Sequence, residues 1–510
     1  MADYDTIIIG SGAGGLSAAL KLARSDYSVM LLEAMPSFGG YLNPFSRKGY
    51  TFDTGLHYIG ELGREDRFWR LLDGLGLRES MKFVELNPEG FDRYVFPDYE
   101  LRVCKGKNRF IERLLNDFPE EERGIYKFFT IFEKIIKAVK ASQSMGGSAL
   151  QMLSFVVRHP VMMKYSRVPY QTLLNDVTSD KRLQAALSAP CGDYGVPPEK
   201  ASIIIAILVW AHYLKGAYYP CGGSGTLRDA FVSGLKDHGA ELKKSSRVVS
   251  IDRTGNEFII TTERGENYTA RAVISDVDPV VTLGKLVNSE LVPSKIKRKV
   301  MHMRPSGGSF YAFIGTDLDL PSIGITDANI IHYNDYDINK IYERWTIPGN
   351  PESFPSFFIT SPSVKDPEGG HSPEGYHTLE ILTGASYALF EQWAHLPSMK
   401  RGEEYKSLKE KIGKRLIAAA EQYIPTLSEH IDFVEYATPL SNEYWVNAMR
   451  GGNYGPEQTP DQVGTGRFIT FTAGIDGLFL AGAGTMGGGV MACVESGINA
   501  ATKLAAYLKD

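Results

Sequence analysis

Residues Asp5 to Gly40 read DTIIIGSGAGGLSAALKLARSDYSVMLLEAMPSFGG. Thr6 to Ile9 is a short, β-branched run of the kind a buried parallel strand needs. Gly10, Gly12 and Gly15 follow in GxGxxG spacing, with Ala13 and Gly14 between them. Small apolar residues from Leu16 to Ala23 then continue as a helix. Gly10 permits the tight turn, Gly12 lets a pyrophosphate approach the backbone, and Gly15 lets helix and strand pack closely. An anion would sit on the helix N-terminus, where free N–H groups and the helix dipole favour it. Val29 to Leu32 predicts a second strand ending in Glu33, placed to accept bonds from ribose hydroxyls. An acid there, rather than Arg, disfavours a 2′-phosphate, so NADP is not expected at this site. The competing reading of the same glycines is a purely structural turn.

The chain has 510 residues, enough for two or more domains. Its 43% hydrophobic and 23% charged residues are ordinary for a globular protein, and the net charge of −5 argues against a general nucleic-acid binder. Many of the 52 glycines fall in two tracts near the chain ends, as backbone–cofactor contact would require. Cys104, Cys191, Cys221 and Cys493 are far apart and lack metal-ligand spacing, so reduced thiols and no metal are expected. With neither a signal-peptide pattern nor an apolar run of spanning length, the expected location is the cytoplasm.

After Glu33 come Gly39-Gly40 and then Phe52-Asp53-Thr54-Gly55-Leu56-His57-Tyr58-Ile59-Gly60. Paired glycines followed by an extended segment suit a flavoprotein of the glutathione-reductase type. From Gly10 through Gly60 the sequence resembles the phytoene desaturase, carotenoid isomerase and retinol saturase superfamily of FAD enzymes, and Phe52–Gly60 is most similar to the retinol saturase branch. Asp26-Tyr27 stands where that superfamily usually has glycine before the second strand. The resemblance extends to Tyr218-Tyr219-Pro220 with Gly222-Gly223-Ser224, to Arg271–Pro279, and to Tyr444–Gly455. It implies an α/β fold: a discontinuous glutathione-reductase-type Rossmann FAD-binding domain (1–75, 218–285 and 466–510) with an inserted α+β substrate domain (76–217 and 286–465), amine oxidase/phytoene desaturase-like. It also implies that Val248-Val249 holds the adenine end of FAD by backbone contact.

Gly477 to Val490 (GLFLAGAGTMGGGV) reads as a strand that delivers Gly482 and Gly484 to the cofactor. Gly489 and Val490 then open a helix to Leu508, whose N-terminus can point at the flavin pyrimidine. A glycine-rich strand–turn–helix at each end of the chain favours noncovalent FAD over other ligands. An external NAD(P)H reductant is a candidate.

Between these ends, Glu65 to about Ser166 reads as mainly helical. Leu150 to Tyr165 is apolar with Arg158, His159 and Lys164 interspersed; it suits either a core helix pair or an interfacial segment in peripheral contact with a membrane. Ser202 to Leu214 is a buried helix or strand, Ser407 to Tyr423 a helix, Phe310–Ile314 and Thr378–Leu382 strands, and Asn334 to Pro351 a loop.

The resemblance implies oxidoreduction at C=C or C–C bonds of a lipophilic polyene or isoprenoid, by hydride transfer through flavin N5. Saturation, desaturation and isomerisation share that machinery, and sequence does not separate them. His57 has an ordinary pKa near ~6.5, suited to proton transfer; Tyr58, Glu61 and Tyr219 are further catalytic candidates. A flavin amine oxidase, which needs an aromatic cage and a lysine beside N5, is one alternative. A non-enzymatic lipid- or prenyl-binding relative is another. Oligomeric state is not legible.

Overall fold

The chain was analysed as a computed structural model that describes residues 2–143, 149–346 and 354–509. β1 (Tyr4–Ile9), α1 (Ala13–Ala23) and β2 (Val29–Leu32) form where the opening stretch places them. Both strands pair in parallel, and the four residues of β2 are all buried. Asp26 takes the left-handed conformation (φ 61°) that glycine usually supplies, so an aspartate makes the same turn.

β1 lies at the centre of an eight-stranded sheet. On one side β2 is followed by Glu241–Lys243; on the other, Asn267–Ser275 runs parallel to β1. The C-terminal half of Asn267–Ser275 pairs in parallel with Leu478–Leu480, and its N-terminal half continues into an antiparallel meander with Glu257–Thr262 and Val248–Thr254. Parallel strands contributed by residues 4–32, 241–243, 267–275 and 478–480 thus share one sheet. The C-terminal helix Val490–Tyr507 packs along α1 and closes that face.

A second sheet has seven strands, in the order Ile431–Ala437, Gly308–Thr316, His377–Ala385, Ser356–Thr360, Asn329–Tyr333, Asp92–Val95 and Glu100–Val103. All its pairs are antiparallel except Asn329–Tyr333 with Asp92–Val95. Phe310, Ala312 and Ile314 alternate into a core shared with Leu416, Ile417 and Ala420 of the helix Gly402–Ala420.

Three expectations are corrected or sharpened. Glu65–Ser166 is mainly helical as expected, through Arg67–Gly74, Lys107–Asp117, Glu122–Gln143, Ala149–Arg158 and Pro160–Tyr165, but it also holds the short strands Phe83–Glu85, Asp92–Val95 and Glu100–Val103. Each strand is three or four residues long, too short for its alternation to show, and Asp92–Val95 finds its inner partner more than 230 residues later. Ser202–Leu214 resolves as a helix, Ile203–Tyr213. Asn334–Pro351 contains the helix Ile338–Thr346, whose buried Ile338, Ile341 and Tyr342 follow helical spacing through a polar stretch; 347–351 lie outside the described residues.

Candidate active site

The two chain ends meet at the N-terminus of α1. Gly12 caps this helix without a side-chain bond, and no acid lies in its first turn. A Cβ on Gly14 would stand 2.6 Å from the Gly482 nitrogen, and one on Gly15 would stand 2.0 Å from the Gly10 oxygen, so neither position has room for a side chain. Gly482 itself has φ 78° and donates its N–H to Ser496 Oγ of the C-terminal helix at 2.7 Å. Gly40 lies over Gly12, while Gly39 N–H donates to Ser11 Oγ at 3.0 Å.

Glu33 is buried and fastens this loop, accepting from Ser11 N (3.0 Å) and Met35 N (2.8 Å). Its backbone carbonyl accepts from Ser246 N at 2.8 Å, which brings the start of Val248–Thr254 alongside. Val249 sits there at a bulge with its side chain exposed. Gly484 packs on Pro279, and Gly489 caps the C-terminal helix at Val490, again without a side-chain cap or an acid in the first turn.

A path therefore runs from Glu33 past one uncapped helix N-terminus to another. This fits a flavin dinucleotide, with its anionic centre at α1 and its ring end at Gly489–Val490. Asp276 also faces the loop: its carboxylate accepts from the N–H groups of Gly12 and Gly15, and burial, with Glu33 nearby, pushes its pKa up to about 7. The group can therefore be neutral beside a phosphate.

Two cavities of ≈ 820 and ≈ 480 Å³ lie at the ring end, and the larger would also take the flavin ring. Gly487 to Val490 line the larger, and His57, Tyr58, Asp193 and Tyr454 line both. The walls are largely apolar and aromatic: Phe132, Ile136, Val209 and Met486 border the larger, Tyr333, Tyr342 and Phe358 the smaller. Tyr58 stacks on Tyr213 with ring centroids 4.6 Å apart.

The structure changes the reading of the proton-transfer candidates. His57 is not poised near neutral pH: burial, reinforced by Lys365, lowers its pKa to about 3, leaving a neutral imidazole. Its Nδ1 lies 3.0 Å from Glu380 Oε2, and burial holds that carboxyl well above the usual range. Tyr219 lines neither cavity; its hydroxyl donates to Asp53, which also accepts from Ser224 N. Glu61 borders the larger cavity, with His212 Nδ1 at 3.3 Å from its Oε1.

Sequence reasoning missed three buried ionisable groups and one half-buried one. Lys365 Nζ donates to the His57 carbonyl (2.8 Å), Asn329 Oδ1 (2.6 Å) and Thr360 Oγ1 (2.6 Å), and burial lowers its pKa to about 8. Glu380 Oε1 accepts from Asp53 N at 2.9 Å. Arg467, 1% exposed, donates to the carbonyls of Gln462, Pro456 and Ala483, fixing the loop after Gly482. Asp193 lies on the cavity wall. None belongs to a recognisable motif, and Lys365, Glu380 and Asp193 each have a partner more than 100 residues away.

Residues 13–505 match the family described as flavin containing amine oxidoreductase. The all-trans-retinol 13,14-reductase of Danio rerio is 28% identical over 474 residues, covering 89% of this chain and 78% of that protein. The chloroplastic prolycopene isomerase of Arabidopsis thaliana is 27% identical over 522 residues, covering 99% and 83%. Among solved structures, an oxidoreductase from Methanosarcina mazei gives a TM-score of 0.65 at 16% identity, covering 98% of this chain and 99% of that one. Wild-type putrescine oxidase bound to putrescine gives 0.64 at 14% identity, covering 99% of each chain. These two likenesses concern the fold, whereas the family match spans nearly the whole sequence: the chain belongs to the flavin containing amine oxidoreductases.

Proposed function

We propose that this enzyme acts on carbon–carbon bonds of a lipophilic polyene, of the retinoid or carotenoid type, with noncovalently bound FAD. The observation that carries this reading is the pair of apolar, aromatic-lined cavities meeting at His57 and Tyr58, the larger reaching Gly487–Val490. With the flavin ring taking part of the larger cavity, the space left there and the adjoining smaller cavity suit an elongated apolar molecule. The names of the retinol reductase and prolycopene isomerase relatives support it, since both denote work on conjugated polyenes.

The geometry supports the following division of labour as part of this proposal. Gly10, Gly12, Ala13, Gly14 and Gly15 receive the pyrophosphate, Glu33 the adenosine ribose, and Val249 the adenine. Gly39, Gly40, Gly482 and Gly484 flank the chain of the dinucleotide, and Gly489 and Val490 meet the pyrimidine. In this arrangement 1–75, 218–285 and 466–510 form the cofactor-binding part, and 76–217 with 286–465 form the substrate part. FAD supplies hydride exchange at N5; an external NAD(P)H is the candidate donor where the reaction is a reduction. His57, neutral and pinned between Glu380 and the Lys365-bound backbone, shapes the floor rather than carrying a proton. Lys365 directs its ammonium at His57 O and Asn329 and lines neither cavity, which disfavours an amine-oxidase role for it.

No helix among the described residues is long and apolar enough to cross a membrane. The helices Ala149–Arg158 and Pro160–Tyr165 nevertheless expose Met152, Leu153, Val156, Val157 and Met163. Pro160–Tyr165 packs on Glu122–Gln143, whose Phe132, Ile136 and Val139 border the larger cavity. That continuity supports peripheral contact with a lipid surface through which a polyene enters. Four free cysteines suit a cytoplasmic setting.

The reading is tested by titrating the purified flavoprotein with a retinoid, a carotenoid and a primary diamine. Perturbation of the flavin absorbance by a polyene and none by the amine is expected. Amine-dependent release of hydrogen peroxide would refute it.

A further inference from the structure

Asp193 stands on the wall shared by the two cavities and is half-buried; the surface it retains opens onto them. Among the described residues its hydrogen-bond contact is with the Tyr58 hydroxyl, 3.5 Å from Oδ2. The same hydroxyl donates to Asp92 Oδ2 at 2.9 Å, while Asp92 Oδ1 accepts from Asn329 Nδ2 at 2.7 Å. Asn329 Oδ1 in turn accepts from Lys365 Nζ. A continuous row of polar groups thus leads from the buried lysine to the cavity surface.

Of the other carboxyls bordering the cavities, Glu65, Glu199 and Glu343 are exposed, Asp66 lies 3.6 Å from Lys215, and the rest face basic groups. Glu61 lies against His212, Glu495 pairs with Arg67, and Glu457 pairs with Arg304. Around Asp193 the ring hydroxyls of Tyr58, Tyr213, Tyr94 and Tyr454 provide no cation, and burial lifts each of those phenols well above its usual range. Burial, then the negative charge of Asp92, holds the Asp193 carboxyl well above the ordinary carboxylate range; Asp92, offset by its donors and Lys365, is raised only to about 6. Two carboxyls linked through one hydroxyl, in environments that separate their affinities, form an acid–base pair sharing a proton at neutral pH.

We propose that Asp193 is the acid–base group of the reaction, facing the bound polyene where the two cavities meet and exchanging its proton with Asp92 through the Tyr58 hydroxyl. The inference rests on the polyene reading above and adds to it the residue that moves the proton. In the forward step the Asp193 O–H bond breaks and a C–H bond forms from the alkene π pair, leaving a carboxylate on Asp193 and a positive charge delocalised along the polyene. In a reduction the hydride that cancels that charge would come from a bound reduced flavin, while Asp193 recovers a proton from Asp92 through Tyr58 and the pair is reprotonated from the cavity side, where Asp193 keeps its exposed surface. In an isomerisation the proton returns to Asp193 after rotation about the weakened bond. In a desaturation the carboxylate takes the proton instead.

The experiment compares the holoenzyme with Asp193→Asn, Asp193→Glu and Tyr58→Phe. Infrared difference spectra at neutral pH are expected to show a protonated carboxyl band that Asp193→Asn abolishes. In deuterium oxide, Asp193→Asn should keep its flavin content and its polyene-induced flavin shift, while carbon deuteration slows by at least about 100-fold, the usual scale for losing a general acid. Asp193→Glu should restore part of that rate and also report on folding. Tyr58→Phe should keep the first proton delivery and slow later ones. A wild-type band unchanged by Asp193→Asn, or deuteration as fast in that variant as in wild type, overturns the assignment. The two claims fail separately: a wild type that keeps the Asp193 band but acts on no polyene refutes the substrate reading, whereas polyene turnover without the band refutes the acid.

Discussion

At the residue scale the site is governed by what burial does to charge. His57 looks like a proton carrier in the sequence, but desolvation favours its neutral form and equally favours the protonated forms of Asp193 and Glu380. Glu380 shows the consequence most directly. Its folded-state pKa is raised, so the stability it contributes is fully present below its unfolded value and is lost as pH rises toward the folded one. His57, whose pKa is lowered, acts in the opposite sense, costing stability as pH falls below about 6.5 toward about 3. Glu380→Gln mimics the protonated acid: its oxygen can still accept from Asp53 N, and its amide can donate to His57 Nδ1. The variant should therefore fold, and its melting temperature relative to wild type should climb between pH 5 and pH 8. A constant difference across that range would show that Glu380 is already ionised at pH 5.

At the element scale, the cofactor cradle depends on two helix N-termini brought together without side chains between them. The close approach of Gly14 to Gly482 joins the first helix to the last return loop. Gly14→Ala forces that loop away, and overpacking of this kind costs about 1–3 kcal/mol. Thermal unfolding should register the loss, and the flavin-to-protein absorbance ratio should fall with it; a variant with wild-type flavin content would remove the close approach as a requirement. This part of the molecule was legible because it is local: strand, glycine turn, helix, second strand and terminal acid follow one another within forty residues. The strand Asp92–Val95 was not, because four residues carry too little pattern and its place is set by Asn329–Tyr333, far along the chain. The same separation hid the acid–base row, since Tyr58, Asp92, Asp193, Asn329 and Lys365 come from five different segments. The opening motif is local and points to a dinucleotide, whereas the groups proposed for the chemistry are gathered from distant segments.

At the scale of the whole molecule, an apolar surface, a cavity mouth and a cofactor cradle lie in succession. The helix Ala149–Arg158, with its exposed apolar residues, packs on Pro160–Tyr165, which in turn packs on the helix that borders the larger cavity beside Gly487–Val490. Replacing Met152, Leu153 and Val157 together by Ser should weaken sedimentation with anionic lipid vesicles while leaving flavin content unchanged, since none of the three borders a cavity. Vesicle binding equal to wild type would detach this surface from substrate entry. The central claim, that the enclosed flavin exchanges hydride with a polyene, is tested most directly under anaerobic conditions. The bound flavin is photoreduced and mixed with a retinoid or carotenoid, and its absorbance is followed alongside product analysis. Reoxidation of the flavin matched by a polyene with one fewer double bond is the predicted result for a saturase, and geometric isomerisation that needs the reduced flavin is the predicted result for an isomerase. A reduced flavin that leaves every polyene unchanged but is reoxidised by an imine would contradict the account.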